Sequence, residues 1–366
     1  MKIVTVICWL IAAGALVGLA LWFLTGTVFG IRSDKWDKTG WGSKWSSGFN
    51  IGGLETLTGP YNAVGEQTIP ASGINGIDAR WITGSVDVRP YDGTEIKIVE
   101  YAQRELAENE KMYVSTSGGT LSIKYTKGTV VGFMPTKRLE LLIPDALCAN
   151  LGAFSVDATS ASINVRGVGA VSFEVDSTSG SVDVSNINAQ KFSANTTSGA
   201  IAASSSRADA AKFDTSSGSI RATGFTAAKI ECDTTSGSIS LEGDFGDVDL
   251  DSISGRMTLD NAASGSAVKI STTSGTIEMT GSFDTVRADT VSGSVSIRSS
   301  VVPSSLRVGT TSGGVKIYVP GGEAVSVNHS SVSGGFSSDV PVTMESRGAR
   351  FNISTVSGRT QIFAGD

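Results

Sequence analysis

The sequence has few of the residues on which metal binding and acid–base catalysis most often depend. It contains one histidine, His329, and three cysteines, Cys8, Cys148 and Cys232. Because no two cysteines form a Cys-x-x-Cys pair, the sequence excludes a zinc ribbon and a thioredoxin-like redox site, and three cysteines are too few for a disulfide framework. A single histidine leaves little material for a histidine metal site or a Ser-His-Asp triad.

Charge is also scarce. Charged residues form 17% of the 366 residues, below the usual quarter of a soluble protein, and the formal net charge is −6. No domain-wide positive field can therefore attract nucleic acid by bulk electrostatics. Glycine and serine are abundant, which is typical of some disordered chains. Disordered segments, however, lack the regular apolar positions that run from residue 76 to residue 362.

One long apolar run stands at the N-terminus. Residues 3–24 carry no charged side chain. As a helix rising ~1.5 Å per residue, this run is long enough to cross a bilayer core of ~30 Å. A cleavable signal peptide has a shorter apolar core and a small-residue cleavage site, and no convincing site follows here. We predict an uncleaved transmembrane anchor (residues 1–31) followed by a Gly/Ser/Trp-containing tether (residues 32–75).

The charges around this run leave the membrane orientation open. Lys2 and the amino terminus favour a cytoplasmic N-terminus, whereas four Lys and Arg residues between positions 32 and 44 favour the opposite. The tether contains three tryptophans that either rest at the membrane interface or pack on the first strands: Trp36, Trp41 and Trp45.

The dipeptide Ser-Gly recurs every 18 to 24 residues through the second half of the chain. Its glycines are Gly180, Gly199, Gly218, Gly237, Gly255, Gly275, Gly293, Gly313, Gly334 and Gly358. Apolar residues stand seven and five positions before most of these glycines and two and four positions after them. This period-two alternation predicts two short strands per repeat, joined by a turn in which glycine supplies permissive backbone angles.

Repeats of this length bury a core only by stacking, at about 4.8 Å per turn. We therefore predict an all-β fold: a single-chain parallel β-solenoid of about 19 residues per turn, right-handed as parallel crossovers are. Residues 151–366 form its regular part. Residues 76–150, with strands in WITGSVDVRP, TEIKIVEYAQ, TLSIKY and LELLIP, form an N-terminal cap and the first irregular coils. Ser338 and Thr360 replace core apolar residues, which indicates a degenerating C-terminal end.

These features resemble a known family. The motif Thr-x-Ser-Gly-[Ser/Thr]-[Ile/Val], as in DTTSGSISL and STTSGTIEM, follows a predicted anchor and the lead-in GSVDVRPYDGTEIKIVEY, LSIKY and LELLIP. Over roughly residues 65–362 the chain is similar to a bacterial β-strand-repeat domain of unknown function often labelled "putative adhesin", which includes membrane-anchored envelope proteins of the LiaG type. The resemblance implies a bacterial cell envelope with the solenoid outside the membrane. It implies no reaction and no catalytic residues.

Stacking in register would place side chains in outward columns. Four positions before the glycine, one column holds the aspartates Asp157, Asp176, Asp214, Asp233, Asp251 and Asp289. Their repulsion needs an offset, and two interpretations are open. Calcium could lie between turns, with Asp176, Asp214, Asp233 and Asp251 as ligands. Alternatively, each Asp accepts hydrogen bonds from the backbone of its own turn.

Six positions before the glycine, Lys269, Arg287 and Arg307 form a short basic strip. It either contacts an anionic wall polymer or headgroup, or is a solvated face paired with Asp251 and Asp289. A Ser precedes every Ser-Gly glycine and a Ser or Thr stands three positions before it, so these hydroxyls predict structural ladders rather than a nucleophile. His329 falls in an inward column, as expected of a core or end-turn residue.

We predict a non-enzymatic, membrane-anchored envelope protein without cofactor. It would present a rigid β-solenoid for adhesion or an envelope-stress accessory role, with cell-wall polymer or envelope proteins as partners. One alternative is a bactofilin-like scaffold that self-associates end to end through exposed strand edges. Another is a carbohydrate-active β-helix enzyme. Such an enzyme needs a localised pair of carboxylates in a groove, whereas these aspartates recur once per turn.

Overall fold

Apolar alternation with a period of two produces strands almost throughout the part of the chain that the structure describes. The computed structural model describes residues 60–128, 134–322, 324–343 and 348–365. The predicted anchor at residues 3–24 and the three tryptophans of the tether lie outside these ranges. Within them, no helix combines the length and the apolar character needed to span a bilayer.

The lead-in strands predicted before residue 150 are present, together with one short helix. These elements are β1 (Asn62–Pro70), β2 (Gly76–Tyr91), β3 (Glu95–Ala102), β4 (Tyr113–Ser117), β5 (Thr120–Lys124), β6 (Lys137–Pro144) and α1 (Asp145–Cys148).

The repeats supply the remaining strands. The first are β7 (Leu151–Arg166), β8 (Gly169–Ser177), β9 (Val182–Ser185), β10 (Asn188–Thr196), β11 (Ile201–Ser204), β12 (Arg207–Thr215), β13 (Ile220–Thr234), β14 (Ile239–Ser254) and β15 (Met257–Ser274). The later ones are β16 (Ile277–Ser292), β17 (Val295–Ser299), β18 (Ser305–Ser312), β19 (Val315–Pro320), β20 (Val325–Ser333), β21 (Phe336–Ser338), β22 (Val342–Thr343), β23 (Arg350–Ser357) and β24 (Thr360–Gly365).

Neighbouring repeats pair in parallel with equivalent residues side by side. β10 pairs with β8 and β12, which places Phe192 between Phe173 and Ala211. β11 pairs in the same way with β9 and β13. These are the columns that the Ser-Gly spacing predicts. The all-β class is confirmed, and the fold is solenoid-like.

The inward columns form one continuous core. Ile230, Leu250 and Ile270, on three successive coils, are fully buried. Aromatic rings contact one another along this core, with centroid separations from 4.8 to 6.4 Å. The rings belong to Phe154, Phe173, Phe192, Phe213, Phe225 and Phe245.

The Ser-Gly glycines are required by space rather than by backbone angle, which corrects the sequence interpretation. All ten lie in the described ranges, and among them only Gly313 has φ in the positive range. Each lies instead against the backbone of the adjacent coil. A Cβ built on Gly218 would lie 1.7 Å from the Gly199 carbonyl oxygen. A side chain here would force two coils apart, so close approach selects glycine.

β1 lies inside the range predicted as tether and belongs to the cap. It pairs antiparallel with β3, from Asn62 opposite Ala102 to Pro70 opposite Glu95. β3 pairs antiparallel with β6, β6 pairs parallel with β2, and β2 pairs parallel with β7. The sheet therefore changes from parallel to antiparallel at its N-terminal end. The strand β1 covers the otherwise unpaired edge of β3. The predicted boundary between tether and cap at residue 76 does not include this strand in the cap, because that boundary is drawn from the repeats.

The last two coils are stacked out of chain order. The spacing predicts that the coil of residues 325–338 follows the coil of residues 305–320. Instead, β18 and β19 pair with β23 and β24, which pair on their other side with β20 and β21. Residues 350–365 are thus inserted between the two, and residues 325–338 form the terminal coil. The inserted coil contributes Phe351 and Ile353 to the core where the terminal coil has Val327 and His329, so the more apolar segment is enclosed.

Candidate functional site

Two outward columns lie side by side on one lateral surface of the repeats. They are the residues six and four positions before each Ser-Gly glycine, and we call this surface the charged face. On the same strands, the residues seven and five positions before the glycine point into the core. The charged face is therefore held in place by buried strands, and its side chains repeat once per coil.

The acidic column brings the four candidate calcium ligands into one file. Asp214, Asp233 and Asp251 are register neighbours, and Asn195 separates Asp176 from Asp214. Burial raises the pKa of Asp233 to about 6, and a hydrogen bond with Asp214 and repulsion by its charge add to the shift. Among the described residues, no group of three or more His, Cys, Asp or Glu side chains could hold a metal ion.

Among the described residues, no backbone N–H donates to an aspartate of this column, which differs from the predicted hydrogen bonds within each turn. Side chains contact five of the aspartates instead: Asp176, Asp214, Asp233, Asp251 and Asp289. Asn195 Nδ2 donates to Asp176 Oδ1 at 2.6 Å. Lys212 Nζ lies 3.3 Å from Asp214 Oδ2 and 3.9 Å from Asp233 Oδ2. The neighbouring outward column therefore supplies the charge that offsets the repulsion, because residues two apart on a strand share a face.

The basic strip occupies three successive coils of the charged face. Strand pairing places Lys269 beside Arg287, and Arg287 beside Arg307. Lys269 Nζ lies 3.6 Å from Asp251 Oδ2, and Arg287 Nε lies 2.8 Å from Asp289 Oδ2, so the predicted pairing with both aspartates is present. Arg307 forms no ion pair with any residue that the structure describes.

A surface depression of ≈ 420 Å³ lies along the basic strip. Its buried lining includes Val248, Val268 and Val286, next to the small side chains of Ala267 and Ser305. The charged residues of its lining are Lys229, Lys269, Arg287, Arg307, Asp247 and Asp249. Three of these cations are paired: Lys229 with Glu231, Lys269 with Asp249 and Asp251, and Arg287 with Asp289. Among the described residues of this lining, Arg307 is the cation without an ion pair, and such a guanidinium attracts anionic groups.

The hydroxyls three positions before the glycine form the predicted ladder. Thr215 Oγ1 donates to the Gly199 carbonyl oxygen of the adjacent coil at 3.2 Å and accepts from the Gly218 N–H of its own coil at 3.0 Å. The same two bonds recur at Thr196 and Thr234. At these coils the buried hydroxyl thus satisfies two backbone groups of the bend, which is a structural role. Ser252, Thr290 and Thr310 make only the bond to the adjacent coil, and Thr272 Oγ1 is buried without a partner among the described residues.

The histidine and the described cysteines occupy inward positions. His329 lies on the terminal coil with its ring centroid 5.0 Å from that of Phe336. Its Nε2 is buried without a hydrogen-bond partner among the described residues. Burial raises the pKa of the Cys148 thiol to about 12 and that of Cys232 well above its ordinary value. Neither thiol is therefore a ready nucleophile at neutral pH. Cys8 lies outside the described residues.

One polar site in the cap was not found from the sequence. Glu100 and Lys137 form a fully buried ion pair between β3 and β6. The signal was present in the alternation, because Glu100 is in phase with the inward Ile98 and Lys137 is in phase with the inward Leu139. A charged residue in the inward phase of a strand indicates a buried, paired charge.

Comparison with known proteins identifies one family and several crystal structures that are similar to this chain. The family described as Toastrack DUF4097 matches residues 76–244 and 226–360. A crystal structure of a "putative adhesin" from Bacteroides fragilis shares 17% identity and a TM-score of 0.39, covering 62% of this chain and 95% of that one. One from Parabacteroides merdae shares 16% and 0.38, covering 64% and 95%. One from Parabacteroides distasonis shares 13% and 0.35, covering 65% and 98%. No curated protein matches the chain.

Proposed function

Because the chain belongs to the Toastrack DUF4097 family, we propose that it is a non-enzymatic, membrane-anchored protein of the bacterial cell envelope. It presents its β-repeats outside the membrane for adhesive contacts or as an accessory of envelope stress. In this proposal residues 3–24 are the anchor, and the repeats form a parallel, right-handed β-solenoid.

The observation that carries this proposal is the repeated charged face. Strand pairing aligns one outward residue per coil, so charges such as those of Lys269, Arg287 and Arg307 form a continuous file on a buried scaffold. A contact surface of this kind suits an extended partner, which meets the same chemistry at every coil. The related structures described as "putative adhesin" agree with a contact role.

Membrane orientation is the first test. Intact cells that express the full-length protein with a C-terminal epitope tag are treated with an impermeant protease, and a cytoplasmic protein serves as control. We expect the tag to be lost while the control survives. If the tag is degraded only after lysis, the repeats face the cytoplasm and the adhesive function is rejected.

The terminal coil favours a second candidate, a self-associating scaffold. Beyond Val325 and Ser326, which pair with β22, the described residues provide no strand on the outer side of β20. Val332 is 83% exposed and Phe336 is 39% exposed on the same coil. An unpaired edge with exposed apolar side chains is a template for another strand. We propose that two copies pair through this edge if the protein acts as a scaffold.

A further inference from the structure

Arg307 stands out on the charged face because its own coil lacks an acidic partner. On two other coils the basic residue is followed two positions later by an aspartate that it contacts, as in Lys212 with Asp214 and Arg287 with Asp289. In the coil of Arg307 the equivalent position is Gly309. The coil of Lys269 likewise has Ser271 at this position, but Lys269 contacts Asp249 and Asp251 of the preceding coil. In the described part of the chain, Arg307 is therefore the one residue of the basic strip without an ion pair.

The neighbouring coil does not supply the missing charge. The Asp289 carboxylate lies over Gly309, since a Cβ built there would be 2.6 Å from Asp289 Oδ1. Its other oxygen, Oδ2, accepts from Arg287 Nε at 2.8 Å. Arg307 is also the direct register neighbour of Arg287. Two like charges opposite each other on paired strands repel, and here only Arg287 is compensated.

The depression beside the two arginines has space and hydrogen-bond donors for an anionic group. Thr285 and Ser305 are register partners on the same two strands, and both line the depression with Arg287 and Arg307. Val286, which lies between Thr285 and Arg287 in the lining, is almost fully buried because its side chain points into the core. The arrangement offers two guanidinium groups and two hydroxyl groups on adjacent strands.

We propose that this depression binds the phosphate groups of a linear phosphodiester polymer. The guanidinium of Arg307 and the terminal nitrogens of Arg287 hold the non-bridging oxygens, with the hydroxyls of Thr285 and Ser305 as further donors. Guanidinium groups match oxyanions in forked geometry, and these hydrogen bonds are charge-assisted. That a wall polymer is the natural ligand rests on the proposed function, whereas the site itself does not.

The test measures binding of fluorescent poly(glycerol phosphate) to the full-length protein in detergent by anisotropy. Arg307→Gln is expected to weaken binding by about tenfold, the loss of one charge-assisted contact. Arg221→Gln removes the same charge from an exposed position of β13 and serves as the matched control, with less than a twofold change expected. Gly309→Asp restores the acid of the repeat beside Arg307, and we expect it to weaken binding as Arg307→Gln does.

Two outcomes overturn the proposal. Equal weakening by Arg307→Gln and Arg221→Gln would mean that net charge alone attracts the polymer. Tighter binding of polygalacturonate than of poly(glycerol phosphate) would assign the site to carboxylates. Both arginines are exposed, so the variants should retain the melting temperature of the parent, and this is measured alongside. Binding in detergent does not depend on membrane orientation, so this test and the protease test can fail separately.

Discussion

The Nζ of Lys137 lies 2.6 Å from the Oε1 of Glu100, and both side chains have zero exposure. The ammonium also donates to the carbonyl oxygens of Glu110, at 2.7 Å, and Tyr125. The Nζ of Lys137 also lies 5.0 Å from the centroid of the Trp81 ring, in a cation–π contact. Burial lowers the pKa of Lys137, and the hydrogen bond to Glu100 opposes that shift. The cap thus contains a charged core in which each donor of the lysine has an acceptor.

Removal of one partner of this pair should be costly. Lys137→Met leaves the Glu100 carboxylate buried without its cation, and we expect a loss of about 3–5 kcal/mol in the free energy of unfolding. Lys137→Met combined with Glu100→Leu should recover much of that loss, because neither charge remains. Lys111→Gln, which breaks the exposed pair with Glu108, is the control and should leave the urea midpoint close to that of the parent. Urea unfolding followed by circular dichroism measures the free energy of unfolding of each variant. A single variant as stable as the parent would contradict the role of the pair.

Gly218→Ala should separate two coils. The added Cβ meets the Gly199 carbonyl oxygen at 1.7 Å, and the overpacking should cost about 3 kcal/mol. Gly335→Ala is the matched control, because nothing lies within 4 Å of its Cβ. Equal urea midpoints for the two variants would contradict the conclusion that close approach of the coils selects this glycine.

Thr215→Val removes a hydroxyl that serves two coils. The Gly199 carbonyl and the Gly218 N–H both lose a partner, which should cost about 1–3 kcal/mol. Thr215→Ser keeps the hydroxyl, and we expect it to stay close to the parent, as the natural Ser177 of an equivalent coil makes the same two bonds. If Val and Ser reduce the urea midpoint equally, the methyl group and not the hydroxyl holds the bend.

Stability should depend on pH through Asp233. Its pKa in the folded protein is about 6, raised from an ordinary value of 3.8 first by burial and then by Asp214. Because the folded state binds this proton more tightly, the group favours folding at low pH, and that contribution is lost as the pH rises from about 4 to about 6. Asp214→Asn should lower the pKa of Asp233 measured by carboxyl NMR, whereas Asp157→Asn, farther along the column, should leave it unchanged. An unchanged pKa in Asp214→Asn rejects the coupling.

Pairing of two terminal coils would bring Ser330 next to its own copy. It lies at the middle of the unpaired stretch of β20, and antiparallel pairing about a two-fold axis joins such central positions. We expect Ser330→Cys to form disulfide-linked dimers under mild oxidation of the full-length protein. Ser354→Cys, at the register partner on the inserted coil, should not. Identical yields from the two variants would reject edge pairing.

The repeat columns could be predicted because spacing alone defines them. The distance from Gly199 to Gly218 sets which residues of β10 and β12 are neighbours, and the charged face follows from that register. The place of Arg307 beside Arg287 was foreseeable for the same reason. Its missing acid was also visible at Gly309, but only strand pairing shows that Asp289 is already committed to Arg287.

Other features depend on strand pairing that cannot be derived from the spacing of the repeats. The strand β1 and the Glu100–Lys137 pair belong to antiparallel strands whose partners are not equally spaced along the chain. The order of the last coils depends on which of two segments, residues 325–338 or 350–365, pairs with β18 and β19. Both segments have similar apolar alternation. Sequence spacing treats Val327 and Phe351 as equivalent, whereas packing energy distinguishes them.

The inserted coil has a consequence for the order of events during synthesis. Residues 325–338 leave the ribosome before residues 350–365, while the edge of β18 and β19 is still free. The earlier segment carries the same columns and can pair with that edge first. The final arrangement therefore requires the later segment to displace it from β18 and β19. The later segment buries the larger apolar surface because it carries Phe351 and Ile353. A nascent chain stalled before residue 350 would accordingly close into a stack one coil shorter, and release of the chain would start an exchange of two near-identical segments.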